Sequence, residues 1–233
     1  ASGAYSIVMA VGVSNAGVYG GTISGERTTH IGVGGEWGMC INLQGVTNFR
    51  ISNVTVRDCW GDGIYVTGNG AGFATPSKNV TIDHVIADNN RRQGISAINW
   101  IGGSITDSVF KNTNGTPPAA GMDFEPNTSA QQISGVAISG SQFIDNQGFG
   151  ILFNAGGRSF DNVIQDSTVS RNFGGIIMGV SNNTFSNNHI SLNLRHGIRL
   201  IATSTYNTFN NNIVSDNNKL STTSTYSNIS VES

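Results

Sequence analysis

The sequence predicts an all-β solenoid of stacked, parallel strands, and two observations carry this prediction. The first is a segment of glycine, apolar residue, variable residue and apolar residue that occurs seven times at intervals of 22 to 31 residues. Repeats of this length are typical of solenoids whose coils contact only their neighbours. The second is a composition of 31 Gly and 28 Asn in 233 residues, interspersed with short bursts of Ile, Val and Thr, which indicates many short strands and many turns. The repeated glycines are Gly38, Gly63, Gly94, Gly121, Gly150, Gly175 and Gly197.

Most coils contain a second strand-like burst before the glycine, as in residues 54–56, 80–82, 136–138 and 163–165. Between this burst and the glycine, an asparagine often falls three residues after an apolar residue. Stacked asparagines can hydrogen-bond to one another along a solenoid and satisfy amides that would otherwise be buried unpaired. The predicted column consists of Asn89, Asn146, Asn172 and Asn193.

The two cysteines are too few for a disulfide scaffold. The count that defines the asparagine column also places Cys59 in it, which favours a buried structural role for Cys59 over a nucleophilic one. A disulfide with Cys40 is compatible with the sequence, but no pattern supports it.

Charge and hydropathy exclude two classes of partner. Charged residues make up 11% of the chain, the formal net charge is −2 and the pI is about 6.1, so no basic field is available to hold a nucleic acid. No apolar run approaches the 18 residues or more that a membrane-spanning helix needs. We therefore expect neither a nucleic-acid partner nor a membrane partner.

The coil pattern of residues 18–218 resembles the single-stranded right-handed parallel β-helix of the pectate-lyase-like superfamily, which includes polysaccharide lyases, glycosidases, alginate epimerases and phage tailspikes. The segments 25–30, 35–38, 62–65 and 90–94 also look like segments of its carbohydrate-active and tailspike members. The resemblance implies about eight right-handed coils, a polysaccharide substrate and an extracellular, cell-surface or virion location. The Asp pairs and Gly-His-Gly of polygalacturonases and the Asp-Pro-His-Glu of alginate epimerases are absent, so the resemblance does not specify the reaction.

The chain is expected to form one domain, 1–233, with a polar Ser/Thr-rich tail at 220–233. Residues 1–13 already have the pattern of a strand, and neither end has the pattern of a cap. Open solenoid ends expose unpaired backbone and apolar side chains. We therefore expect the chain to be part of a longer protein or to associate with copies of itself, as in a homotrimer.

Alternation along the strands predicts which side chains lie together on the outer face. Asp123 and Glu125 fall on the same side of one strand, Arg91 and Arg92 lie one coil away, and Asp62 and Tyr65 lie one coil beyond. The first predicted outward column consists of Cys40, Tyr65, Ser96, Asp123, Leu152, Ile177 and Arg199. The second column, beside the first, consists of Asn42, Thr67, Ile98, Glu125, Asn154, Gly179 and Ile201.

Paired carboxylates at strand spacing suit glycoside hydrolysis, in which one acid protonates the leaving oxygen and the other activates water or attacks. We therefore predict Asp123 and Glu125 as catalytic residues, with Asp62 as a third carboxylate. Arg91, Arg92 and Tyr65 are predicted to orient the glycan. The alternative interpretation is a salt-bridge network that only stabilises the coils. A calcium site formed by Asp62, Asp123 and Glu125 is conceivable because Ca²⁺ prefers oxygen ligands, but no calcium-loop spacing supports it, and no cofactor is predicted.

Aromatic residues and long loops extend the predicted site. Trp37 and Trp100 are candidates for stacking on sugar rings, whereas Trp60, next to Cys59, is assigned to closing the interior. His30 is a candidate acid–base or substrate-binding residue. The loops 67–78 and 112–120 are predicted to be the longest and to flank the acidic coils.

The sequence thus predicts a polysaccharide-degrading glycoside hydrolase. The first alternative is a lyase or epimerase acting on uronic acids. The second is a non-catalytic glycan-binding adhesin or tailspike stem.

Overall fold

The computed structural model describes residues 5–154, 157–220 and 227–232. These residues form three parallel sheets that run along one solenoid, and each coil contributes in turn to the first, second and third sheet. Their only helical element is a 3₁₀ turn at Ala71–Phe73. The predicted all-β parallel β-helix is confirmed.

Each full coil has three strands rather than the two that the sequence pattern distinguished. In the described residues, the first sheet consists of Ser6–Val11, Met39–Gln44, Ile64–Thr67, Ile95–Ala97, Met122–Phe124, Phe149–Phe153, Gly174–Met178, Ile198–Leu200 and Ile229–Val231. The second consists of Gly17–Tyr19, Arg50–Ser52, Ser77–Asp83, Trp100–Thr106, Ile133–Ser139, Ser159–Phe160, Val163–Gln165, Thr184–Ser186 and Thr208–Asn210. The third consists of Thr22–Ser24, Thr55–Arg57, Ile86–Asp88, Val109–Lys111, Gln142–Ile144, Thr168–Ser170, His189–Ser191 and Ile213–Ser215. The burst at 54–56 therefore belongs to the third sheet, whereas those at 80–82, 136–138 and 163–165 belong to the second.

The core is a stack of inward-facing Ile, Val, Leu and Phe side chains from all three sheets. Aromatic rings of successive coils lie face to face, with ring centres 4.1 Å apart for Phe124 and Phe153 and 5.2 Å apart for Phe110 and Phe143. Because every coil buries its apolar residues against the next, the outer face is free to carry polar side chains.

A buried asparagine ladder runs through the third turn, which leads from the third sheet back to the first. Asn146 Nδ2 donates to Asn172 Oδ1 at 2.9 Å, Asn172 to Asn193 at 3.1 Å, and Asn193 to Asn217 at 2.8 Å. This confirms the predicted column at Asn146, Asn172 and Asn193.

The repeated glycines are explained by this ladder. A Cβ atom on Gly121 would lie 2.9 Å from Asn146 Nδ2, and one on Gly150 would lie 2.8 Å from Asn172 Nδ2. A side chain at these positions would therefore collide with the ladder amide, so only glycine leaves enough room.

Two details of the predicted register are wrong. In the third coil the inward residue is Ala87, whereas Ile86 is exposed, and the ladder residue is therefore Asn90, which accepts from the Cys59 N–H at 3.1 Å. In the second coil Asn42, not Cys40, pairs with Tyr65. Cys40 is buried and forms a disulfide with Cys59.

Candidate functional site

A pocket of about 230 Å³ lies on the outer face of the first sheet. One wall is formed by the loop 25–38, which connects the third sheet to the first and is longer than either loop singled out in the sequence. The pocket is lined by Glu36, Trp37, Met39, Tyr65, Arg92, Glu125 and Asn127. Four of these residues, Trp37, Tyr65, Arg92 and Glu125, are among the predicted site residues.

Arg92 lies at the centre of the pocket and contacts three carboxylates. Its Nη1 is 3.2 Å from Asp62 Oδ2, its Nη2 is 3.3 Å from Glu125 Oε2, and its Nε is 3.3 Å from Glu36 Oε2. Burial by itself would lower the pKa of Arg92, but the three carboxylates outweigh it and raise the pKa above its ordinary value. Arg92 is therefore a permanent cation whose Nη1 and Nη2 donate hydrogen bonds to Asp62 and Glu125, whereas its Nε has no hydrogen-bond partner among the described residues.

Asp62 is fully buried beneath this guanidinium. It accepts a hydrogen bond from Ser96 Oγ at 2.8 Å. Burial raises the pKa of Asp62 to about 6, although Arg92 and Ser96 oppose the increase. The carboxylate thus supports Arg92 from below and does not line the pocket.

Asp123 is also buried, with 1% of its surface exposed. Its Oδ2 accepts a hydrogen bond from Gln93 Nε2 at 2.8 Å, while its Oδ1 has no hydrogen-bond partner among the described residues. Burial, followed by the nearby charge of Glu125, raises the pKa of Asp123 well above its ordinary value. Asp123 therefore lies under the site, whereas Glu125, the other member of the predicted catalytic pair, reaches the pocket.

Tyr65 lines the pocket next to this acidic group. Burial, and then the charges of Asp62 and Glu125, raise the pKa of Tyr65 to about 12. The phenol keeps its proton at neutral pH and is suited to donating a hydrogen bond rather than to acting as a base.

Among the described residues, Arg91 forms no ion pair with the carboxylates that surround Arg92. Its guanidinium carbon lies 4.0 Å from the centre of the Trp60 ring, and its Nη1 donates to the Gly35 carbonyl at 2.7 Å. The ring of His30 stacks on Trp60 with centres 3.8 Å apart, and His30 Nδ1 lies 3.0 Å from Glu26 Oε1. Arg91 and His30 therefore belong to a stack under the loop 25–38.

The two predicted tryptophan platforms have different environments. Trp37 is 47% exposed and lines the pocket, so its ring is available to a ligand. Trp100 is fully buried in the core and its Nε1 donates to the Gly102 carbonyl at 2.7 Å. Trp100 therefore lies outside the site. Trp60 is 9% exposed.

Sequence reasoning missed Glu36 as a site residue. Glu36 lies in the segment Gly35-Glu36-Trp37-Gly38, which was noted for its resemblance but lies in a loop without strand alternation. The available signal was its position next to Trp37 and the rarity of charged residues in this chain.

The conceivable calcium ligands Asp62, Asp123 and Glu125 do not form an oxygen cage, because the Arg92 guanidinium lies between Asp62 and Glu125. Within 5–154, 157–220 and 227–232, one trio has ligand atoms close enough for a metal: Asp83, His84 and Asp107. Asp83 is already engaged there by Arg50 Nη2 at 2.6 Å and Thr106 Oγ1 at 2.8 Å.

No helix in the described part of the chain is long and apolar enough to cross a membrane.

Comparison with known proteins identifies related sequences. The family model described as "right handed beta helix region" matches residues 40–179 and 129–233. The SPbeta prophage-derived protein YorA of Bacillus subtilis is 32% identical over 110 residues, covering 44% of this chain and 18% of YorA. The protein YclG of the same organism is 27% identical over 178 residues, covering 69% of this chain and 30% of YclG. The chain thus spans less than a third of the length of either relative.

Several solved structures share the fold at low sequence identity. The Dettilon tailspike protein has a TM-score of 0.61 and 19% identity, with 88% of this chain and 41% of the tailspike covered. The periplasmic alginate epimerase AlgG has a TM-score of 0.60 and 14% identity, with 75% and 47% covered. The pectate lyase Pel9A has a TM-score of 0.55 and 16% identity, with 73% and 46% covered. At these identities the likeness concerns the fold alone.

Proposed function

Because this chain belongs to the right-handed β-helix family, we propose that it is a polysaccharide-acting enzyme, and that its chemistry is glycoside hydrolysis by Glu36 and Glu125. The observation that carries this proposal is the arrangement of these two carboxylates around one arginine. Glu36 Oε2 and Glu125 Oε2 each lie 3.3 Å from a nitrogen of Arg92, in a pocket that also holds the exposed ring of Trp37.

The geometry is compatible with the requirements of this reaction. Two oxygens that lie 3.3 Å from nitrogens of the same guanidinium are within roughly 9 Å of each other, which is within the upper limit for glycosidase carboxyl pairs. One carboxyl group would protonate the leaving oxygen and the other would activate water or attack the anomeric carbon. Trp37 would stack on a sugar ring, and the Tyr65 hydroxyl would donate a hydrogen bond.

The charge of the pocket favours hydrolysis over uronate chemistry. Three carboxyl groups, those of Glu36, Asp62 and Glu125, surround the single guanidinium of Arg92, so acidic groups outnumber the cation in the site. A uronate carboxylate would be repelled and would find the arginine occupied. The positive charge that develops on the sugar ring in an oxocarbenium-like transition state would be stabilised.

The structural neighbours support a polysaccharide substrate without selecting the reaction, since their names include a pectate lyase, an alginate epimerase and a tailspike. A lyase or epimerase is therefore the first alternative, and a non-catalytic, trimeric glycan-binding stem is the second. The Cys40–Cys59 disulfide supports an extracellular, cell-surface or virion location, because disulfides persist in oxidising compartments.

The test is incubation of the protein with a panel of neutral and acidic polysaccharides while reducing ends and absorbance near 235 nm are followed together. Hydrolysis gives reducing ends without absorbance, and Glu36→Gln and Glu125→Gln should each lower kcat by about 100-fold or more. Glu232→Gln is the matched control, because this carboxylate also pairs with an arginine, Arg199, but lies outside the pocket.

The other outcomes contradict the proposal in distinct ways. Absorbance that rises together with reducing ends would identify a lyase. Activity that survives both glutamine substitutions would place the reaction elsewhere. Glycan binding without any product, lost in Trp37→Ala, would favour the non-catalytic stem.

A further inference from the structure

The segment 31–38 carries Glu36 and Trp37 into the pocket, yet its own sequence gives it little to hold it in place. Its apolar side chains Ile31 and Val33 are 89% and 94% exposed, so burial does not anchor it. Gly32, Gly34, Gly35 and Gly38 make half of its residues glycine, and glycine loses the most conformational entropy when it is ordered. The segment therefore depends on contacts made to its backbone.

Those contacts come from two side chains of the coils beneath. Arg91 Nη2 donates to the Val33 carbonyl at 3.2 Å and Arg91 Nη1 donates to the Gly35 carbonyl at 2.7 Å. Trp60 Nε1 donates to the carbonyl between them, that of Gly34, at 3.4 Å. Three consecutive carbonyls are thus fixed immediately before Glu36.

The two donors are themselves held in position. The Arg91 guanidinium packs over the Trp60 ring, and the His30 ring stacks on Trp60 with an angle of 14° between the planes. Trp60 follows Cys59, whose disulfide partner Cys40 is the second residue of the strand after the segment, Met39–Gln44. The stack of His30, Trp60 and Arg91 is therefore tied to the solenoid on both sides of the segment.

We propose that Arg91 is a positioning residue that holds the segment 31–38 over the solenoid, so that Glu36 reaches Arg92 and Trp37 forms the wall of the pocket. This role differs from the direct contact with substrate that the sequence suggested for Arg91. The functional part of the inference rests on the proposed function, whereas the structural part does not.

The first experiment measures the rate of limited proteolysis at residues 31–38 by elastase, which cleaves exposed and mobile chain after small apolar residues, in the absence of any glycan. Arg91→Ala should increase the rate of cleavage in this segment by about tenfold or more, with little change in cleavage of the second and third sheets. Arg91→Lys keeps the charge but loses the planar stack and the two-pronged donation, so its cleavage rate should be intermediate. The matched control is Arg171→Ala, because Arg171 pairs with Asp145 on another turn. Unchanged cleavage in both Arg91 variants would overturn the proposal.

The second experiment measures affinity for an oligosaccharide of the polysaccharide that the wild-type protein cleaves, in the Glu125→Gln background so that the ligand stays intact. Arg91→Ala should weaken binding several-fold, and this effect should disappear when Trp37 is already alanine, because the loss acts through Trp37. An unchanged affinity, or a loss that persists in Trp37→Ala, would overturn the positioning role; the second result would mean that Arg91 contacts the sugar itself. A wild-type protein that binds no glycan would overturn the proposed function, while the proteolysis result would still decide whether Arg91 holds the segment.

Discussion

The coils before residue 130 and those after residue 140 differ in how they satisfy their buried polar groups. The later coils repeat one solution at each turn, with asparagine ladders at Asn146–Asn172–Asn193–Asn217, Asn162–Asn183–Asn207 and Asn188–Asn212. In the earlier coils the same third-turn column contains Cys59, Asn90 and Thr113, and Asn90 Nδ2 and Thr113 Oγ1 have no hydrogen-bond partner among the described residues.

The difference indicates that the two groups of coils have different roles within one solenoid. The earlier coils carry the long loop, the disulfide, the buried carboxylates and the pocket, whereas the later coils are shorter and regular. Local irregularity is compatible with a stable fold because each coil is stabilised mainly by its neighbours. The regular coils after residue 140 can therefore stabilise the earlier coils, which depart from the pattern.

The largest expected change in the free energy of unfolding comes from a substitution in the asparagine ladder of the later, regular coils. Asn172 is fully buried; its Nδ2 donates to Asn193 Oδ1 and to the Phe143 carbonyl, and its Oδ1 accepts from Asn146. Asn172→Ala would leave several of these groups buried and unpaired, so the free energy of unfolding should fall by about 3 kcal/mol or more. Urea unfolding measures this change.

The matched control is Asn210→Ala, at an exposed strand position, which should change the free energy of unfolding by less than about 0.5 kcal/mol. Equal effects at the two positions would mean that the ladder contributes nothing specific.

A smaller expected effect concerns the coils that carry the pocket: their contribution to the free energy of unfolding should depend on pH. Burial raises the pKa of Asp62 to about 6, so the folded state holds this proton more tightly than the unfolded chain does. The stabilisation is complete below the unfolded pKa near 4 and is lost as the pH rises to about 6, at up to about 1.4 kcal/mol per pH unit. Asp62→Asn should reduce this slope in urea unfolding measured from pH 4 to pH 7, and the remaining slope should come from Asp123, whose pKa burial also raises.

Asp83 should change the free energy of unfolding with pH in the opposite direction to Asp62. A hydrogen bond from Thr106 is the main cause that lowers the pKa of Asp83 to about 2, so its stabilisation is present above pH 4 and is lost as the pH falls towards 2. Asp83→Asn should therefore alter the profile only on the acid side. If both variants changed the same pH range, the assignment of the slope to Asp62 would be wrong.

The smallest expected effect comes from making the earlier coils resemble the later ones. Thr113 occupies the ladder position between Asn90 and Asn146, and its N–H already donates to Asn146 Oδ1 at 3.0 Å. Thr113→Asn should pair the free amide of Asn90 and stabilise the protein by about 1 kcal/mol, measured as an increase in the urea midpoint. A loss of stability would show that the gap in the ladder does not accommodate an amide.

The same contrast explains how much could be predicted from the sequence. The repeated glycine aligns most first-sheet strands in both groups of coils, and the predicted column from Tyr65 through Ser96, Asp123, Leu152 and Ile177 matches the observed register. The second coil broke the pattern because Cys40 occupies the place that glycine holds elsewhere, so the coil was aligned on Gly38, two residues too early. In the third coil the exposed Ile86 resembles a core residue more than the buried Ala87 does.

The site was harder to predict than the fold because burial and loop position leave no periodic signal. Alternation placed Asp123 and Glu125 on one side of a strand, but it could not reveal that neighbouring side chains cover Asp123. Glu36 comes from a loop whose path depends on contacts with Arg91 and Trp60, which are distant in sequence. Trp100 and Trp37 are equally prominent as residues, and only packing separates the core ring from the exposed one.

The direction of the hydrogen bonds has a mechanical consequence. In all three sheets these bonds run from coil to coil, along the axis of the solenoid, so tension that pulls the chain ends apart loads one coil at a time. Each coil of 22 to 31 residues that detaches adds roughly 8–10 nm of extended chain. The solenoid is therefore expected to unfold under force in steps, one coil at a time. The Cys40–Cys59 disulfide is a covalent stop among the coils that carry the pocket, because the chain between these cysteines cannot be drawn out while the bond is intact.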